Sequence, residues 1–118
     1  MFHILISDSS REILNTLKLL LEMEGYSIKT ALNRSCLFNE LNLSAPNLII
    51  IDTNINGEDG KEICKEIRGN SHTKNIPVIL ISLNHELLEN YQNCGANDFL
   101  LKPFDISALI KKIDNFLN

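Results

Sequence analysis

A chain of 118 residues with 11 Lys and Arg against 15 Asp and Glu has a formal net charge of −4, and 44% of its residues are apolar. That is too apolar for a disordered chain and short enough for one domain of the usual roughly 50–200 residues. Its charge argues against a surface for nucleic acid or anionic lipid, which needs clustered Lys and Arg. No apolar run approaches the roughly 18 residues of a membrane span and no signal-peptide pattern opens the chain, so one cytoplasmic domain over residues 1–118 is expected.

Taken in chain order, two hydrophobic patterns alternate. Ile4-Leu5-Ile6 is a short continuous apolar run of the kind that forms a strand covered on both faces. Ile13, Leu14, Leu17, Leu20 and Leu21 then recur at helical spacing and stop before Gly25, with Ser9 and Glu12 as a capping box at the start. Ser27–Ala31 reads as a second strand, and Leu37, Phe38 and Leu41 as a helix that closes before Pro46. Leu48–Ile51 is the third strand. Asp59 with Glu62 opens the third helix, which carries Ile63 and Ile67 and stops at Gly69. Val78–Ile81 is the fourth strand, and Leu87, Leu88 and Tyr91 suggest a short helix before Gly95. Asp98–Leu101 completes the strands. Ile106, Leu109, Ile110, Ile113, Phe116 and Leu117 line the last helix, with Asp105 at its N-cap.

Strict βα alternation implies right-handed crossovers and a doubly wound parallel sheet. With five strands and five helices the flavodoxin-like order 2-1-3-4-5 is expected, its site at the carboxyl ends of strands 1 and 3. The residues at those ends carry chemistry. Asp8 follows strand 1, Asp52 ends strand 3, Ser82 follows strand 4 and Lys102-Pro103 follows strand 5. Two carboxylates side by side raise each other's pKa unless a cation intervenes. Oxygen donors without His or Cys nearby favour a hard ion such as Mg²⁺. A carboxylate held there is a nucleophile toward a phosphoryl group, with the ammonium and hydroxyl stabilising the transferred oxygens. Asp52 is the central residue of this expected phosphoryl-accepting site.

At these residues the chain resembles the receiver domains of two-component response regulators, CheY-like proteins, over essentially its whole length. The segments ILISDSSREIL, PNLIIIDTNINGEDGKEICKEIR, IPVILIS and CGANDFLLKPF carry the resemblance, with the ordered set Asp8, Asp52, Asp59-Gly60, Ser82 and Lys102-Pro103. The resemblance implies phosphorylation of Asp52 by a histidine kinase or phosphotransfer protein. It further implies Mg²⁺ at Asp8, Asp52 and the backbone carbonyl of Asn54, and a phosphoryl group held by Ser82 and Lys102. Phe99 occupies the switch-aromatic position, reorienting as Ser82 moves and remodelling the face made by the fourth helix, fifth strand and fifth helix. Such a domain is a phosphoacceptor that assists its own phosphorylation and dephosphorylation, not an enzyme. Its output is a downstream protein or a linked output domain, with no nucleic acid bound by the receiver itself. The Lys102–Pro103 bond is expected to be cis.

Three positions depart from the family's pattern. Ser9 stands where a second acid is usual, which removes one charge and weakens the expected Mg²⁺ site. Leu83 replaces a small residue, and its bulk restricts access to the site. Asn56 stands where Pro is frequent. These departures keep open a second reading, a degenerate receiver that binds its partner without phosphorylation. A flavin-binding relative of the same fold is disfavoured, because Asp8 would repel the flavin phosphate and the chain has no Trp. Cys36, Cys64 and Cys94 lack metal-ligand or disulfide spacing and are expected to be small buried hydrophobes. His3, His72 and His85 form no cluster.

Overall fold

The computed structural model describes residues 1–118. The three continuous apolar runs are its most deeply buried segments. They lie in β1 (His3–Ser7), β3 (Leu48–Asp52) and β4 (Val78–Ser82), which with β2 (Ser27–Ala31) and β5 (Asp98–Leu101) form one parallel sheet in the order β2-β1-β3-β4-β5. Every residue of β3 and β4 is buried, as expected of strands covered on both faces.

Because side chains alternate along a strand, the sheet feeds two separate cores. Leu5, Ile49, Ile51, Val78 and Leu80 point into one, closed by Leu37 and Leu41 of α2 (Arg34–Leu43) and by Ile63, Cys64 and Ile67 of α3 (Gly60–Gly69). Ile4, Ile6, Ile50, Ile79 and Ile81 point into the other, closed by Leu14, Leu17 and Leu21 of α1 (Arg11–Met23) and Leu109 and Ile113 of α5 (Ile106–Leu117). The fourth helix is a single turn, α4 (His85–Leu88), followed by a 3₁₀ turn over Tyr91–Cys94. The flavodoxin-like order and the βα alternation read from the sequence are therefore those of the structure.

Local differences have physical causes. The cap of α1 is Ser10, whose hydroxyl accepts the Ile13 N–H, and not Ser9, which lies one residue too early for that bond. Asp59 caps α3 as expected, accepting the Lys61 N–H, whereas Asp105 occupies the α5 N-cap without a side-chain bond. Cys64 and Cys94 are buried, but Cys36 is exposed on α2, so only two of the three cysteines pack as core.

A two-residue hairpin between β3 and α3 went unread in the sequence. Asn54–Ile55 pairs antiparallel with Glu58–Asp59 around Asn56-Gly57, which have φ of 55° and 85°. Asn-Gly between two short pairing segments is the strongest hairpin signal a sequence carries, since both turn residues need the left-handed region. Ile55, fully buried, anchors this hairpin to the core below Asp52.

Candidate functional site at the carboxyl edge of the sheet

β1 and β3 run parallel in register, with Ser7 beside Ile51, so the residues that follow them emerge side by side. Asp8 and Asp52 are both buried, and the ammonium of Lys102, just past β5, donates to both. Its Nζ lies 2.7 Å from Asp8 Oδ2 and also pairs with Asp52 Oδ2. Each carboxylate is further held by a backbone N–H two residues on. Ser10 N donates to Asp8 Oδ1 at 3.0 Å and Asn54 N to Asp52 Oδ1 at 2.8 Å. These short loops aim the carboxylates by their own backbones, as Asx turns do. The ammonium is positioned from the other side of the sheet by the Lys102 N–H, which donates to the Ser82 carbonyl at 2.8 Å. The Lys102–Pro103 peptide is cis, as the resemblance implied.

The electrostatics follow from two buried acids facing one cation. Burial raises the Asp52 carboxyl above its ordinary value. The Lys102 ammonium and the Asn54 N–H offset only part of that rise, and the charge of Asp8 adds to it. Burial alone would lower Lys102, but the carboxylates of Asp52 and Asp8 outweigh it and hold the ammonium above the ordinary lysine value. Two carboxylates against one ammonium leave the site one negative charge in excess, which suits it to a cation.

The five residues assigned to chemistry at the strand ends are together. Asp8, Asp52, Asn54, Ser82 and Lys102 all line one open cleft of about 380 Å³, with Ser9, Thr53 and Leu83 also on its walls. Asp8 and Asp52 are the two carboxylates of the cleft, and no group of three His, Cys, Asp or Glu side chains gathers in the chain. The backbone carbonyl of Asn54 belongs to a residue on the same cleft wall. The Ser9 hydroxyl lies 3.5 Å from it, which places Ser9 beside the very oxygen the resemblance assigned to a metal. Leu83 stands on the wall of the cleft and is 77% exposed.

The sequence marks Gly60 only as part of the motif and gives Thr53 no role. Gly60 packs so tightly under Asp52 that a Cβ would stand 2.0 Å from the Asp52 carbonyl oxygen, and the motif's glycine is explained by that approach. Thr53 is buried with its hydroxyl 2.7 Å from Ser82 Oγ, and only its place directly after Asp52 hinted at it. Phe99 stands apart from the cleft. It is 37% exposed on the outer side of β5, its ring 4.9 Å from that of Tyr91 and 5.4 Å from the Lys112 ammonium. It is neither core nor in contact with Ser82.

Comparison with known proteins agrees with this geometry. The family model for the response regulator receiver domain matches residues 4–114. The nisin biosynthesis regulatory protein NisR of Lactococcus lactis subsp. lactis is 33% identical over 115 residues, which is 96% of this chain and 49% of NisR. The chain thus spans about half the length of such curated relatives. Among solved structures, a putative response regulator from Chloroflexus aurantiacus superposes with a TM-score of 0.91 at 27% identity, covering 98% of this chain and 97% of that one. The response regulator TrrA of Thermotoga maritima, in complex with Mg²⁺-BeF, does so with a TM-score of 0.86 at 28% identity, covering 98% and 99%. By sequence and by fold, the chain belongs to the response regulator receiver domain family of two-component systems.

Proposed function

We propose that this receiver accepts a phosphoryl group on Asp52 from a histidine kinase or phosphotransfer protein and passes the signal on through protein contacts. The observation that carries the reading is the single ammonium of Lys102 shared by carboxylates from two separate strand ends, at the floor of an open cleft. Asp52 Oδ2 attacks phosphorus, the bond from phosphorus to the donor nitrogen or oxygen breaks, and the donor leaves with the electron pair. As the Asp52 oxygen loses its charge to the new acyl-phosphate (mixed anhydride) bond, Lys102 is released from it to pair with the phosphoryl oxygens. Ser82 donates to another of those oxygens.

The donor set fits Mg²⁺, being two carboxylates and a carbonyl with no nitrogen or sulfur ligand. Asp8, Asp52 and the Asn54 carbonyl would hold it, and when bound it supplies positive charge to the phosphoryl oxygens. Ser9 gives that ion one carboxylate fewer than the family's usual pair. The outward face carrying Phe99, Tyr91 and Leu101 is the proposed contact for the downstream partner or a linked output domain. An apolar notch between α4 and β5 there is lined by Leu88, Tyr91, Phe99 and Leu101.

The test is incubation with a small phosphodonor and Mg²⁺ followed by intact mass. Wild type is expected to gain one phosphoryl group and Asp52→Asn none. No adduct at any Mg²⁺ concentration would overturn the acceptor reading and leave a receiver that binds its partner without phosphorylation.

A further inference from the structure

We infer that Thr53 is a positioning residue that makes Ser82 a committed hydrogen-bond donor to the phosphoryl group. This deepens the acceptor reading above and rests on it. The Ser82 and Thr53 hydroxyl oxygens lie 2.7 Å apart, and Ser82 Oγ accepts the Asn84 N–H at 3.0 Å. A serine hydroxyl has two acceptor sites and one proton. With the Thr53 hydroxyl as the donor of that pair, both acceptor sites are filled and the Ser82 proton is the capacity left. Ser82 lines the same cleft as Asp52, so an anionic oxygen bound to Asp52 is the natural recipient.

The geometry of Thr53 suits this role and no evident other. The residue is 5% exposed and Ser82 2%, so little solvent reaches the bond between them. The Thr53 backbone is fixed on both sides. Its N–H donates to the Ile81 carbonyl at 2.9 Å and its carbonyl accepts the Gly60 N–H at 2.9 Å. β-Branching restricts χ1, so a fixed backbone leaves the hydroxyl few places to go. Donors arranged before the charge arrives cost no reorganisation when it does, which is the general source of electrostatic stabilisation in such sites. A valine here keeps the shape of the side chain and leaves the Ser82 oxygen free to accept, so its proton no longer has one destination.

The experiment titrates beryllofluoride, a phosphoryl mimic, into the protein at saturating Mg²⁺ and follows binding by NMR. Thr53→Val is expected to weaken binding by roughly 2- to 10-fold, the worth of one hydrogen bond. Thr53→Ser, which keeps the hydroxyl, is expected to stay within about twofold of wild type. Introduced into Ser82→Ala, Thr53→Val is expected to change nothing further, because the two residues act as one unit. Thr53→Ala repeats the test should the valine variant fail to fold, and urea unfolding of each variant separates binding from stability. Unchanged or tighter binding by Thr53→Val overturns the proposal, as does an equal loss in the Ser82→Ala background. Wild type that binds no beryllofluoride overturns the acceptor reading itself, and this role for Thr53 with it.

Discussion

The Asp52 carbonyl oxygen lies against the backbone of Gly60, and this close approach constrains how Asp52 leaves its strand. Gly60→Ala would set a Cβ 2.0 Å from that oxygen, with no flexible atom to give way. Overpacking of this kind costs about 2–3 kcal/mol, so urea unfolding should show a lowered midpoint, with a smaller phosphoryl adduct from the displaced Asp52. Ser9 is the opposite case, a position with too little in it. Its hydroxyl meets the Asn54 carbonyl only at 3.5 Å, and a carboxylate in its place adds a full charge next to the expected ion. Ser9→Asp should therefore tighten Mg²⁺ binding by at least roughly fivefold, the equivalent of about 1 kcal/mol between charges some 4 Å apart even in water. Titration calorimetry reads this directly. Equal affinity in the two proteins would mean that Ser9 is not the weak point of the site.

Between elements, two polar ties hold segments that the apolar cores leave loose. Tyr26, between α1 and β2, donates its hydroxyl to Asp114 of α5 and accepts from the Asn118 amide, so the last helix is pinned to the α1–β2 turn. Burial, then the bond to Asp114, raises the Tyr26 pKa above its ordinary value. The protonated form is the one that donates, so this stabilisation is complete below the unfolded tyrosine pKa. It is lost as pH climbs through the raised folded value. Tyr26→Phe should cost about 1 kcal/mol in urea unfolding at neutral pH, and the gap to wild type should close in strongly alkaline buffer. Arg68 makes the second tie. From the end of α3 its guanidinium donates to the carbonyls of Gly95 at 2.8 Å and Ile76 at 2.6 Å and to Asn97 Oδ1 at 2.6 Å. That fork ties the segment entering β4 to the end of the β4–β5 connection, whose α4 has a single turn to offer.

For the molecule as a whole, the sequence carried the architecture because β3 and β4 are buried on both faces. Nothing but an unbroken apolar run survives there, and such a run is easy to see. The chemistry was equally visible, since the doubly wound topology sends Asp8, Asp52, Ser82 and Lys102 to one edge whatever the details of the loops. What stayed hidden depends on a single residue's place in three dimensions. The cap fell to Ser10 and not Ser9 because adjacent serines give the same pattern one step apart. Nothing in the sequence ties Thr53 to Ser82, since only the fold sets the two hydroxyls together, and Asn56 marks a departure from the family's Pro while the turn chemistry lies in its pairing with Gly57. Cys36 was expected inside on composition alone, which says nothing of which face of α2 a residue occupies.

β5 is an edge strand of four residues, bonded along one side to β4 and alternating partly buried with exposed positions. Lys102 at its end grips the two carboxylates, and Phe99 three residues back looks outward, roughly 10 Å away at the rise of an extended chain. Mechanically the strand is a short stiff rod with one rail. Along that rod the restraints are one ladder to β4, the packing of Leu100 into the core and the ion pair of Asp98 with Lys112. An interior strand would add a second ladder to these.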